Sequence, residues 1–203
     1  GSFVTRTTSP ALMDTAQKAL DKLKAVVAKH LDVETSDVEY KNATFSTAGE
    51  EMSWKDACSL MTSQKIQAQG SFNDEYFGEG NSDCVQFAEV EVDTETGNIR
   101  VKKIVALHSM GKPVNRLTAE NQVYGGVIQG ISYALFENRL LDPHTGGMVN
   151  ADLLTYKIAG ASDIPEIIPV LFVTDDDTGA RSLGEPVTIP TSGAIGNAVA
   201  NAL

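Results

Sequence analysis

The chain has 203 residues, 42% of them apolar and 21% charged, with a net charge of −11. That length carries one large domain or two small ones around a real hydrophobic core. The acidic balance excludes a nucleic-acid surface and attachment to anionic membranes. Cys58 and Cys84 are too few and too far apart for a disulfide framework or a zinc site, and no apolar run approaches a membrane span. With no basic-then-apolar signal segment either, a cytoplasmic protein with two reduced cysteines is expected.

In chain order, residues 9–31 read as a helix, with apolar residues from Ala11 to Leu31 at helical spacing and Ser9-Pro10 supplying a cap and a first-turn proline. The polar text from Asp32 to Glu51 predicts a strand pair, and Ser53 caps a short helix ending near Met61. Glycine, asparagine and aspartate then crowd residues 70–83, which predicts a loop. Val85 to Val92 alternates, Asp93-Thr-Glu-Thr-Gly97 is a turn, and Ile99 to Leu107 runs back, so 85–107 reads as a β-hairpin.

A second helix is expected over 117–137, with Val123, Val127, Ile131 and Leu135 stepping by four along its core face. Asp142 to Gly147 is a second turn between two short strands. Pro165 and Pro169 bracket Ile167-Ile168, and a strand is expected over Val170 to Val173. A last helix is expected to begin at Thr191 or Ser192 and to run to Leu203. Its abrupt end, and an opening without methionine, read as those of a piece of a longer protein. Strands and helices alternate without a βαβ rhythm, so the fold class is α+β, with mixed or antiparallel sheets and packed helices. The whole of 1–203 reads as one functional region, divisible into subdomains of about 1–80 and 81–203.

Three segments carry candidate chemistry. In Gly184-Glu185-Pro186 a carboxylate sits between a residue without a side chain and one with a fixed φ. Pro186 disfavours the α region for Glu185, so an extended, stiff backbone is expected there, as a positioned general base requires. In the second helix, Gln122 and Gln129 lie two turns apart on one face, with Gly125 and Gly126 between them and Gly130 beyond. Each interior glycine costs about 1 kcal/mol relative to alanine. Close packing of a neighbouring helix accounts for the glycines; a heterocyclic ligand accounts for the two amides as well. The opening Gly1-Ser-Phe-Val-Thr5, before a helix, offers hydroxyls and backbone donors of the kind that hold phosphate, or simple capping. His30, His108 and His144 are scattered, and each reads as a surface or satisfied histidine.

These segments together resemble the molybdenum hydroxylases, in the C-terminal part of the molybdopterin-binding large subunit of xanthine dehydrogenase and aldehyde oxidase. The resemblance is carried by Gly1-Ser-x-x-Thr5, Phe87-Ala-Glu-Val-Glu-Val-Asp-Thr-Glu-Thr-Gly97, Gly111-Lys-Pro-Val-Asn115 and Gln122-Val-x-Gly-Gly-Val-Ile-Gln-Gly130. Asp152 to Lys157, Asp163 to Ile167 and Gly179-Ala-x-x-x-Gly-Glu-Pro186 complete it. It implies that Glu185 is the catalytic glutamate, a general base in hydroxylating an N-heterocycle or aldehyde with water-derived oxygen. It makes Gln122 a cofactor-contacting glutamine, and Gly1, Ser2 and Thr5 part of the loop beside the cofactor.

The implied cofactor is molybdenum-molybdopterin, as such or in its cytosine dinucleotide form. The pterin holds the metal, so no protein ligand to it is expected. The 2Fe-2S clusters and FAD belong to partner domains. The implied partners are the remainder of the large subunit, iron–sulfur and flavin subunits and a small-molecule substrate, and a homo-oligomer is compatible. The fragment alone is expected to be inactive. Departures from the family pattern at Ser109, Asn121 and Ser182 leave an alternative, a scaffold or assembly subunit derived from the family.

Overall fold

The computed structural model describes residues 4–61, 65–72, 82–173 and 179–203. The chain divides into two units, Thr7–Tyr76 and a larger one formed by Gly1–Arg6 with Phe77–Leu203.

In the smaller unit, helix α1 (Val4–Leu31, its first turn belonging to the larger unit) packs Leu23, Val27 and Ala28 with Val38, Phe45 and Ala57. The helix begins well before the expected Ser9 cap, so Pro10 lies inside it rather than in its first turn. The polar stretch that follows holds three strands, not two. These are β1 (Glu39–Lys41), β2 (Thr44–Ser46) and β3 (Glu51–Ser53), an antiparallel meander. Asn42 and Ala43 form the two-residue turn between β1 and β2, both at positive φ (50° and 59°), the geometry that matches the right-handed twist of a hairpin. The Ser53 side chain accepts from the Asp56 amide at 3.2 Å and caps α2 (Trp54–Ser59), as expected. Most of the loop expected over 70–83 lies outside the described residues.

The larger unit is a three-stranded sheet with two helices on one face. Strand β4 (Cys84–Val92) pairs antiparallel with β5 (Ile99–Ser109), closing the expected hairpin. A bulge after Glu89 lets Lys102 stand unpaired and resets the alternation, so Val101 and Ile104 both face the core three residues apart. Strand β6 (Glu166–Phe172) lies parallel to β5 and starts four residues earlier than expected, with Pro169 inside it. The order β4-β5-β6 makes β6 an edge strand, where a residue without an N–H can face away from the ladder. The turn at 142–147 forms, closed by the Asp142 amide to the Gly147 carbonyl at 2.8 Å, but its flanks pair only as a single bridge between Leu141 and Met148.

Helices α3 (Arg116–Leu135) and α4 (Glu185–Ala202) cover the inner face of this sheet. The former contributes Val123, Val127 and Ile131 of the expected stripe, with Leu135 partly buried at its end, and Ala119 one turn before it; the latter contributes Val187 and Ile195. The two helices meet where α3 has no side chains. An added Cβ at Gly126 would lie 2.6 Å from the Val187 Cβ, and one at Gly130 would overlap Thr191. Gly125 faces open space. Helix packing therefore explains two of the three glycines. Replacing Gly130 with alanine is expected to destabilise this unit, because overpacking of about 1–3 kcal/mol exceeds the helix-propensity gain of about 1 kcal/mol. Gly125→Ala should stabilise it by up to about that gain. Urea titrations of the two variants check the opposite signs.

On the same inner face of β5, His108 is fully buried, and neither ring nitrogen has a partner among the described residues. It is neither a surface nor a satisfied histidine. Burial lowers its pKa from 6.5 to about 4. Between those values the unfolded chain binds more protons than the folded one. The stability tied to neutral His108 is thus complete above pH 6.5 and falls by about 3 kcal/mol as the pH drops towards 4. Unfolding titrations across that range should be visibly flatter for His108→Leu than for the parent protein.

Candidate cofactor and base site

The candidate base is positioned by a short segment laced to the end of β5. The Lys112 amide donates to the Gly179 carbonyl (2.9 Å), the Arg181 amide to the Met110 carbonyl (2.7 Å), and Arg181 Nη1 to Ser109 Oγ (2.8 Å). Gly111 sits at φ 68°, and a methyl there would overlap the Gly179 carbonyl, so the two backbones touch only because it is glycine. Ser82 Oγ donates to the Ser182 carbonyl at 2.6 Å. Leu183 is then driven into the core, and Gly184, at φ 122°, turns the chain into α4.

Glu185 is the first residue of α4, with Pro186 next to it in the first turn. This corrects two expectations. The Glu185 backbone belongs to the helix rather than to an extended strand, and the helix starts six residues before Thr191. A first-turn proline is tolerated because its missing N–H has no helical acceptor in any case. Pro190, by contrast, lies inside the helix and leaves the Pro186 carbonyl without its helical donor. Cys84 Sγ donates to that carbonyl at 2.9 Å. One residue further, Gln86 Nε2 donates to the Val187 carbonyl at 2.7 Å, and Gln86 Oε1 accepts from Thr191 Oγ1 at 2.8 Å. Burial, and then the Asp83 charge, raise the Cys84 pKa, so its sulfur stays a protonated donor.

A cleft of about 200 Å³ lies beside this turn, lined by Thr5, Asn115, Thr118, Gln122, Arg181 and Leu183 among others. Asn115 also caps α3, accepting from the Thr118 amide at 3.1 Å. The structure thus brings Thr5 and Gln122 to one cleft, whose lining stops two residues short of Glu185. Glu185 itself is exposed. Gly1 and Ser2 lie outside the described residues. Gln129 does not join the cleft; its amide donates to the Tyr133 hydroxyl at 2.6 Å, and its oxygen lies 3.5 Å from Thr188 Oγ1.

Sequence reasoning missed Cys84, Gln86 and Arg181. Alternation along β4 does place Cys84 and Gln86 on one face, and a proline inside a helix signals a carbonyl in need of a donor; only their coincidence in space was hidden. Among the described residues no group of three or more His, Cys, Asp or Glu is placed to hold a metal ion. No helix of the described residues is long and apolar enough to cross a membrane.

The family model described as the molybdopterin cofactor-binding domain matches residues 1–165. The aldehyde oxidoreductase molybdenum-binding subunit of Escherichia coli K12 is 30% identical over 188 residues, 89% of this chain and 25% of that protein. A putative xanthine dehydrogenase molybdenum-binding subunit from the same organism is 36% identical over 116 residues, 56% of this chain and 15% of that protein. Among solved structures, CO dehydrogenase from Oligotropha carboxidovorans superposes with a TM-score of 0.79 at 22% identity, covering 99% of this chain and 26% of that one. The chain therefore spans about a quarter or less of the length of these relatives. With an α+β architecture shared along almost its whole length and a family model covering most of its residues, the chain belongs to the molybdopterin cofactor-binding domain family of the xanthine dehydrogenase and aldehyde oxidoreductase kind.

Proposed function

We propose that this chain completes the molybdopterin pocket of a molybdenum hydroxylase and supplies its general base, Glu185, in hydroxylating an aldehyde or an N-heterocycle. The observation that carries this reading is the single cleft that collects Thr5, Asn115, Thr118 and Gln122 beside the segment leading to Gly184-Glu185-Pro186. Those amides and hydroxyls suit the alternating donors and acceptors of a pterin edge, and they do so without a basic patch in an acidic chain. Gln122 and Thr5 would hold the cofactor, and the family resemblance adds Gly1 and Ser2. When bound, that group supplies two-electron redox chemistry and activates water-derived oxygen for attack on carbon. Glu185 then accepts the released proton at a carboxylate oxygen, its backbone held by core-packed Leu183 on one side and Val187 on the other.

Glu185 is exposed, which supports a reading in which a part of the enzyme beyond this chain excludes water from it. The outer face of the sheet supports such a partner as well. There Val85, Leu107 and Val170 share one row of the register, and Phe87, Val105 and Ile168 another, with Phe87 63% exposed. An apolar row of that kind suits burial against a partner. The natural partners are the remainder of the large subunit, with iron–sulfur and flavin groups carried elsewhere to take the electrons. Whether the pterin carries cytosine dinucleotide depends on those other parts. One departure that favoured a scaffold has a local explanation, since Ser109 accepts from Arg181; the Ser182 hydroxyl, by contrast, is buried with no hydrogen-bond partner among the described residues.

In the assembled complex, Glu185→Gln should keep molybdenum and pterin while turnover of benzaldehyde or hypoxanthine with an artificial electron acceptor drops by about 10²–10⁴-fold. Parent-level turnover in that variant removes Glu185 from the mechanism. A complex from a cofactor-competent host that contains neither metal nor pterin supports the scaffold instead.

A further inference from the structure

We infer that Gln86, on β4, is a positioning residue for Glu185, acting through the first turns of α4. The inference rests on reading Glu185 as the base, but its structural ground is independent. A helix that contains Pro190 lacks the backbone donor that would tie its second turn to its first at Pro186. The first turn is where Glu185 sits, so the freedom left by the proline falls on the base.

Two groups of one strand, half-buried Cys84 and buried Gln86, close that gap. Cys84 reaches the Pro186 carbonyl, and Gln86, only 8% exposed, spans the next position with both ends of its amide. Its nitrogen donates to the Val187 carbonyl in the first turn, and its oxygen accepts from Thr191 in the second. The Thr191 hydroxyl has the Val187 carbonyl as a second acceptor at 3.2 Å, so amide, hydroxyl and carbonyl form a closed set across the proline. Because all three are buried, losing the Thr191 hydroxyl leaves the Gln86 oxygen unpaired in the core rather than hydrated, and losing the amide removes the tie between the strand and both turns. Thr191 is itself held from behind by the bare backbone of Gly130, which leaves it no room to withdraw. The strand thus replaces with side chains the continuity that proline removes from the helix. A glutamine is suited to this because it offers a donor and an acceptor together, and no ionised side chain does so.

The test compares Gln86→Met, which keeps length but not the hydrogen bonds, with Thr191→Val and Thr191→Ser in the assembled, cofactor-loaded enzyme. The readouts are kcat and KM for benzaldehyde or hypoxanthine and amide exchange at Val187 to Ile189. Gln86→Met and Thr191→Val are each expected to lower kcat about 10–100-fold, the scale of an ångström-sized displacement of a catalytic group, with KM and molybdenum content unchanged. Thr191→Ser, which keeps the hydroxyl, should restore kcat. Exchange at 187–189 should quicken in the first two variants alone.

Parent-level kcat and exchange in Gln86→Met overturn the inference, as does a loss that falls on KM or appears equally in Thr191→Ser. If Gln86→Met does not fold, the threonine pair decides. Should Glu185→Gln prove fully active, the base reading fails. The exchange pattern then still decides whether Gln86 orders the turn.

Discussion

The larger unit depends on the close approach of α3 to α4, which is possible only because α3 carries glycine at 126 and 130. Backbone meets the side chains of Val187 and Thr191 there, and nothing larger than hydrogen fits between. Glycine in a helix interior is destabilising in isolation. The compensation is that α4 can sink far enough for Val187 and Ile195 to join a core already formed by β5 and α3. The depth and position of α4 set the place of Glu185, because that residue is the helix's first and has no independent attachment through a long loop. A constraint written in one helix is thus read out at the end of another.

Beneath the start of α4 the core is not uniformly apolar. Gln86 and Thr191 satisfy one another, Cys84 serves a carbonyl, and His108 is buried neutral directly opposite Cys84 in the strand register. Burying polar groups costs stability unless they are paired, and an apolar strand would fill the same volume. Such a layer makes sense where a helix end needs a defined orientation rather than maximal adhesion. Hydrogen bonds discriminate among rotations and slides that dispersion alone tolerates.

The site is assembled from pieces distant in sequence: the first turn of α1, the start of α3 and the 179–185 segment. The last two are anchored locally, α3 by its Asn115 cap and the segment by a left-handed glycine at 111 and backbone bonds to Met110 and Lys112.

Much of the fold was legible in the sequence. The four-residue stripe of α3, the β4–β5 hairpin around Asp93 and Gly97, and the Ser53 cap follow from local spacing and turn chemistry, which act within a few residues. The Gly-Glu-Pro segment and Gln122 stood out for the same reason, since restricted φ and helical periodicity are properties of neighbours. Tertiary structure alone decided the rest. Pro186 in an isolated peptide pushes Glu185 out of the helical region, yet packing of Val187 against Gly126 draws it into the first turn of α4. Pro169 looks like a strand breaker until β6 proves to be an edge. Two glutamines on one helical face looked equivalent, and in the fold Gln122 lines the cleft whereas Gln129 bonds Tyr133 outside it. Sequence determined what each segment could form; contacts between residues about a hundred apart, such as Gln86 with Thr191, selected among those forms, because only a folded core removes water and makes an unpaired carbonyl expensive.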